Sequence, residues 1–180
     1  MRLTGFGGQG VVLAAYITGR ACIDAGKHAT MIQSFGPEAR GSSCSATLVI
    51  SDREVLYPYV RRPSILVAMS ADGFATYGRE LADDGTLIYE LDLVHPGARN
   101  DAFGIPARRI AESLGRALVQ NIVMVGFIAA VTSIVPREAM RQAVKASVPA
   151  GTEELNLKAF DAGVEYFDNV VNAAKVEVTV

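Results

Sequence analysis

"RLTGFGGQGVVLAAY" occupies residues 2–16, and its reading decides the fold. Arg2 to Phe6 has the length and character of a short strand. Gly5, Gly7 and Gly10 then fall in the G-x-G-x-x-G spacing. Val11 to Ala25 is dominated by apolar and small residues and is stopped by Gly26, which reads as a helix with a glycine stop. A strand, a glycine turn and a helix in that order aim backbone N–H groups at a helix N-terminus, where unpaired donors and the helix dipole favour anions. Gly5 suits the tight turn, Gly7 the close approach of a phosphate, and Gly10 close packing of the helix. The bland alternative is a backbone that only has to turn sharply beside another surface.

Outward from this unit the chain alternates strand-like and helix-like stretches. His28 to Gln33 is expected as a second strand and Ser34 to Ser43 as a loop. Cys44 to Ser51 alternates as a third strand, with Ala46, Leu48 and Ile50 on one face. Arg53 to Pro58 is a candidate hairpin partner for it. Ile65 to Met69 and Gly85 to Leu91 read as strands, and Ala71 to Leu81 as a helix between them. Ile105 to Pro106 reads as a strand end. Helices are expected over Ala107 to Leu114, Asn121 to Thr132, Pro136 to Val148 and Thr152 to Ala174, with Pro136 suited to a first helical turn. This order predicts one α/β domain over residues 1–180: a Rossmann-like, mainly parallel sheet with helices on both faces and a helical C-terminal third.

Composition bounds the function. Half of the 180 residues are hydrophobic, a fifth are charged and the net charge is −2, which suits a packed domain and gives no footprint for nucleic acid. Ala117 to Val135 carries no charge, yet Gln120, Asn121, Thr132 and Ser133 leave an unbroken apolar run only from Ile122 to Val131. That is the length of a buried helix, so no membrane span is expected. Cys22 and Cys44 lack metal-ligand spacing, so no metal site is expected and a reducing, cytoplasmic setting is natural. His28 and His95 are isolated, with no visible partner to orient either ring for catalysis.

The dinucleotide fingerprint is incomplete. An acidic residue is expected at the end of the second strand to hold a ribose. Gln33 and Ser34 stand there instead, and the nearest carboxylates are Asp24 and Glu38. The motif also carries an extra Gly8 and a polar Gln9.

A second unusual stretch, "QSFGPEARGSSCSA", runs from Gln33 to Ala46. Gly36 and Pro37 make a turn, Glu38 and Arg40 flank Ala39, and Gly41 follows. Arg40 has the forked donors that suit a phosphate or carboxylate; the alternative is an internal Glu38–Arg40 pair that stiffens the loop.

With these two stretches in hand, the chain resembles the gamma subunit of the 2-oxoacid:ferredoxin oxidoreductases, and most of all their 2-oxoglutarate branch. The resemblance rests on "GFGGQG" at 5–10, "QSFGPEARGSSCSATLVIS" at 33–51, "YPYV" at 57–60, "LGRALVQNIVMVGFIAA" at 114–130 and "ELNLKAFDAG" at 154–163. It implies a subunit of an enzyme that oxidatively decarboxylates a 2-oxoacid, forms an acyl-coenzyme A and passes electrons to ferredoxin. It implies alpha and beta subunits as partners, with a ferredoxin-like delta subunit as a further one. Thiamine diphosphate, Mg and iron–sulfur clusters would be held by those chains, coenzyme A would be the co-substrate, and this chain alone would bind no cofactor. It should be inactive on its own and supply no catalytic residue. Gly5, Gly7, Gly8, Gln9, Gly10, Ser34, Gly36, Pro37, Glu38, Arg40 and Gly41 are the candidates for contacts to coenzyme A or to a partner. Both loops follow strands of one sheet and should meet at one rim. A free-standing nucleotide-binding oxidoreductase and a purely structural subunit stay open as alternatives.

Overall fold

A computed structural model describes residues 1–36, 42–99 and 101–171. Six strands form one sheet: β1 (Arg2–Phe6), β2 (His28–Phe35), β3 (Ser43–Ser51), β4 (Ile65–Ala68), β5 (Thr86–Glu90) and β6 (Ala102–Ile105), in the spatial order β2-β3-β1-β4-β5-β6. β1, β4, β5 and β6 are mutually parallel. β3 runs antiparallel to both of its neighbours, β1 and β2. It is the one reversed strand, so β2 again points the same way as β1. The sheet is mostly parallel, and the carboxyl ends of the other five strands share a rim.

The helices are α1 (Val11–Asp24), α2 (Ala71–Tyr77), α3 (Ala107–Ser113), α4 (Gln120–Thr132), α5 (Arg137–Ser147) and α6 (Glu153–Tyr166). They cover both faces unequally. α1, α3, α4, α5 and α6 contribute to one large core with Leu3, Ala46, Leu48, Val67 and Ile88. On the other face Leu66, Ala68 and Leu87 pack with Phe74 and Tyr77 of α2. The alternation in β4 and β5 is the cause: successive side chains leave a strand on opposite sides, and both sides here are apolar.

α4 is buried on every side from Asn121 to Ala130. It explains the uncharged run in the sequence as the centre of the core. Among the described residues no helix is long and apolar enough to cross a membrane. α4 and α6 cross in backbone contact through two glycines. A Cβ on Gly126 would stand 2.0 Å from the Phe160 carbonyl oxygen, and one on Gly163 would stand 2.1 Å from that of Val123.

Several boundaries differ from expectation. β2 continues to Phe35, so Ser34 belongs to a strand. Arg53 to Pro58 adds no hairpin partner. The far side of β3 is already taken by β1, and the chain instead crosses the sheet's second face, where Pro58, Tyr59 and Val60 lie over β2 and β3. The helix after Ser70 tightens into a 3-10 turn over Gly78–Glu80, and β6 starts at Ala102. α6 ends at Tyr166 and passes into a π turn over Phe167–Val171; the remainder of the expected helix lies outside the described residues.

Candidate functional site

Helices α1, α2 and α3 begin directly after β1, β4 and β6, at the rim where the five strands end. The glycine turn is its centre. The Gly7 N–H donates to the Ser42 carbonyl at 2.9 Å, and the Gln9 N–H to the Phe6 carbonyl at 3.1 Å. The Gln9 side chain closes the turn further. Its Oε1 accepts the Phe6 N–H at 2.7 Å, and its Nε2 donates to the Met69 carbonyl at 2.9 Å. One amide therefore ties the turn to itself and to the end of β4. Gly5 is required beneath it, because a Cβ there would meet Gln9 Oε1 at 2.5 Å and Val11 at 2.9 Å.

Gly8 and Gly10 both have left-handed backbone, with φ of 99° and 75°. They differ in surroundings. A side chain on Gly10 would enter Asn121, whose Nδ2 lies 3.4 Å from the Gly10 carbonyl. Among the described residues nothing lies within 4 Å of a Cβ on Gly8, and the tip of the turn is exposed. Gly10 is the N-cap residue of α1, whose first turn has no acidic side chain and no side-chain cap.

The second loop starts and finishes against the first. The Gly36 N–H donates to the Ser43 carbonyl at 2.8 Å, and Ser42 carries the acceptor for Gly7. Gly36 and Ser42 are thus held on the glycine-turn side of the sheet, and Pro37, Glu38, Arg40 and Gly41 lie outside the described residues. The rim brings together Gly5, Gly7, Gly8, Gln9, Gly10 and Gly36. Ser34 is set apart on the sheet's second face, where it lines a depression with Arg2, Ser45, Thr47, Tyr59 and Tyr77.

Sequence reasoning missed four residues here. Asn121 heads an apolar helix and sits under Gly10; a lone amide at the start of such a run was the available signal. Ser70, fully buried, caps α2 by accepting the Gly73 N–H at 3.1 Å. Glu90 ends the apolar strand β5 and is nearly fully buried, and its Oε2 accepts the Arg108 N–H at 3.2 Å, capping α3 from a neighbouring strand. Burial pushes the Glu90 carboxyl above its ordinary range, and the N–H donors of Arg108, Asp92 and Ala107 oppose that only in part. Arg2 stacks on the Tyr77 ring, pairs with Glu80 and donates to the Val60 carbonyl, which fastens the 52–64 connection to the sheet. Cys22 and Cys44 are buried, and burial raises both thiols, as befits small apolar fillers. Among the described residues no three His, Cys, Asp or Glu side chains converge as a metal site would need.

This arrangement defines an α/β domain whose glycine turn is closed by its own side chains, with an outward tip and a second loop beside it. The model of the pyruvate ferredoxin/flavodoxin oxidoreductase family matches residues 1–166. The chain belongs to that family. It is 45% identical over 175 residues to the 2-oxoglutarate synthase subunit KorC of Methanothermobacter marburgensis, covering 92% of this chain and 94% of that one. It is 33% identical to the ketoisovalerate oxidoreductase subunit VorA of Methanothermobacter thermautotrophicus, where it matches 36% of a longer polypeptide. Among solved structures, the gamma subunit of a keto/oxoacid ferredoxin oxidoreductase from Geobacter sulfurreducens superposes with a TM-score of 0.78 at 36% identity, covering 91% of this chain and 95% of that one.

Proposed function

We infer that this chain is the gamma subunit of a multi-subunit 2-oxoacid:ferredoxin oxidoreductase, with 2-oxoglutarate as the oxoacid and coenzyme A as the acyl acceptor. One observation carries the reading: near-full-length identity of 45% to a 2-oxoglutarate synthase subunit. In the overall reaction the oxoacid loses CO2, the acyl group joins the coenzyme A sulfur, and two electrons pass to ferredoxin.

The described residues of this chain do not fit thiamine diphosphate with its metal, or an iron–sulfur cluster. The two cysteines are buried on separate elements, and among the described residues no acidic or histidine cluster meets them. Those groups are assigned to companion alpha, beta and delta chains. The work left for this chain is to present the rim. The turn at Gly7–Gly10 is held by Gln9, so its open tip at Gly8 offers a preformed surface to a companion or to the phosphates of coenzyme A, with Glu38 and Arg40 as further candidates for that contact. A free-standing nicotinamide enzyme is disfavoured by the end of β2, which carries Gln33, Ser34 and Phe35 and no carboxylate for a ribose.

Reconstitution tests the reading. The purified chain should turn over no 2-oxoacid, whereas the assembled complex should reduce methyl viologen with 2-oxoglutarate and coenzyme A in preference to pyruvate. Turnover by the chain alone, or heat released on NADH titration with none on assembly, overturns it. Unchanged activity and coenzyme A dependence after deletion of residues 37–41 would leave a purely structural subunit.

A further inference from the structure

Among the described residues no strand lies along the outer edge of β2, and an apolar groove borders one of its faces. The direction of its free groups follows from the register. Gly36 donates to Ser43, its partner in the β2–β3 pairing, so that pair is a hydrogen-bonded one. In an antiparallel ladder such pairs alternate with pairs whose N–H and C=O groups point away. Ser34, Ile32 and Thr30 therefore bond inward to β3. Phe35, Gln33, Met31 and Ala29 turn their backbone donors and acceptors outward, where no strand lies beside β2 among the described residues.

Edge strands that stay unpaired carry charges, proline or a bulge that block association. β2 reads HATMIQSF, with no Asp, Glu, Lys, Arg or Pro, and its register with β3 is unbroken from His28 to Phe35. On one face, Tyr16, Ile23, Ala29 and Met31 line a mostly apolar groove of about 190 Å³ between β2 and α1, and Phe35, the last residue of β2, is 63% exposed. On the other face Tyr59 lies over Ser34 in a more polar depression with Arg2, Ser45 and Thr47, and Tyr57 and Tyr59 are each 62% exposed, with ring centroids 5.4 Å apart. Arg20, which lines the apolar groove, pairs with Asp24; Lys27 pairs with Asp52 and Arg2 with Glu80.

The geometry points to β2 as the place where a companion subunit adds a strand to this sheet and closes the apolar groove beside it. The proposal rests on the gamma-subunit reading. The occupant follows from the longer relative. In VorA the matched 36% is covalently continuous with the rest of its polypeptide, whereas the match to KorC takes in 94% of that subunit. The separate subunit equivalent to that remainder is the occupant, and the neutral edge calls for an uncharged, apolar strand from it.

Residue-resolved amide exchange on the full chain, alone and in complex with that subunit, reads the pattern directly. In the isolated chain Thr30, Ile32 and Ser34 should exchange slowly, and Met31, Gln33 and Phe35 fast. In the complex the second set should slow by about tenfold or more while the first barely changes, a period-two signature that burial without strand pairing does not produce. Gln33→Pro removes one outward donor, which an edge strand tolerates, and should abolish co-purification, whereas Gln33→Ala should assemble normally. The exchange measurement stands even if the proline variant fails to fold. A complex that forms with the outward amides still fast overturns the proposal and leaves the subunit reading intact. Failure of any complex to form overturns both. Concentration-dependent protection of the same amides without the companion overturns it in favour of pairing between two copies of this chain.

Discussion

Replacing Gly126 by alanine isolates the crossing of α4 and α6. The added methyl would sit 2.0 Å from the Phe160 carbonyl oxygen, 2.9 Å from its carbon and 3.1 Å from its Cα. That is about 1.4 Å short of ordinary contact, and the obstacle is backbone, so no rotamer change relieves it and the helices must separate within a close-packed core. Alanine gains about 1 kcal/mol of helix propensity over glycine. Overpacking a well-filled core loses about 1–3 kcal/mol and more where nothing yields. The steric term wins, and the net loss should be about 2 kcal/mol or more. For a chain of this length that lowers the thermal midpoint by about 4–8 °C, measured by circular dichroism on the isolated chain. Gly19→Ala in α1 is the contrast, since a Cβ there meets only the tip of the Leu48 side chain at 3.0 Å; it should be neutral or slightly stabilising. A Gly126→Ala midpoint equal to wild type, or above it, would refute the claim that backbone contact requires this glycine.

Gln9→Ala should strip two hydrogen bonds from the glycine turn and leave the Phe6 N–H and Met69 carbonyl without them, a loss of about 1–3 kcal/mol in urea unfolding, with faster amide exchange at Gly7 to Gly10. Gly8→Ala tests the turn without a clash: left-handed backbone should cost about 1–2 kcal/mol, and the loss should fall well below that of Gly10→Ala, where Asn121 also obstructs. Glu90 has its folded pKa raised above its ordinary 4.5 by burial. The fold therefore favours its protonated form, so its contribution is fully present below pH 4.5 and is lost as pH rises through the higher folded value. Glu90→Gln removes that titration while keeping an acceptor for Arg108. Its stability relative to wild type, from urea midpoints, should improve between pH 4 and neutrality; no change in the difference would refute the assignment.

Local signals were strong where structure is local. The strand, glycine turn and helix of residues 2–24 fall where the spacing puts them, because side-chain periodicity and glycine placement act within a few residues. The 34–43 stretch was harder: glycine, proline and serine read as loop from Ser34, yet Ser34 and Phe35 pair with β3, since cross-strand hydrogen bonding outweighs turn composition. Arg53 to Pro58 looked like a hairpin partner because adjacency in sequence is the only cue to pairing available there, and β1 had already taken that side of β3.

The candidate site divides in the same way. Gly5, Gly7, Gly8 and Gly10 could be named from spacing. That Gln9 turns inward to Met69 could not, because Met69 lies 60 positions away in the chain. By itself the sequence determined an α/β domain opened by a glycine turn, a wholly apolar helix, and two loops following strands of one sheet, since each is written in the period or composition of one short segment. Only the tertiary structure decided that β3 reverses between β1 and β2, that β2 stands at the edge of the sheet among the described residues, and that Gly126 and Gly163 let α4 and α6 touch. Those choices are made by groups distant in the chain competing for the same space, and periodicity carries no record of which partner wins.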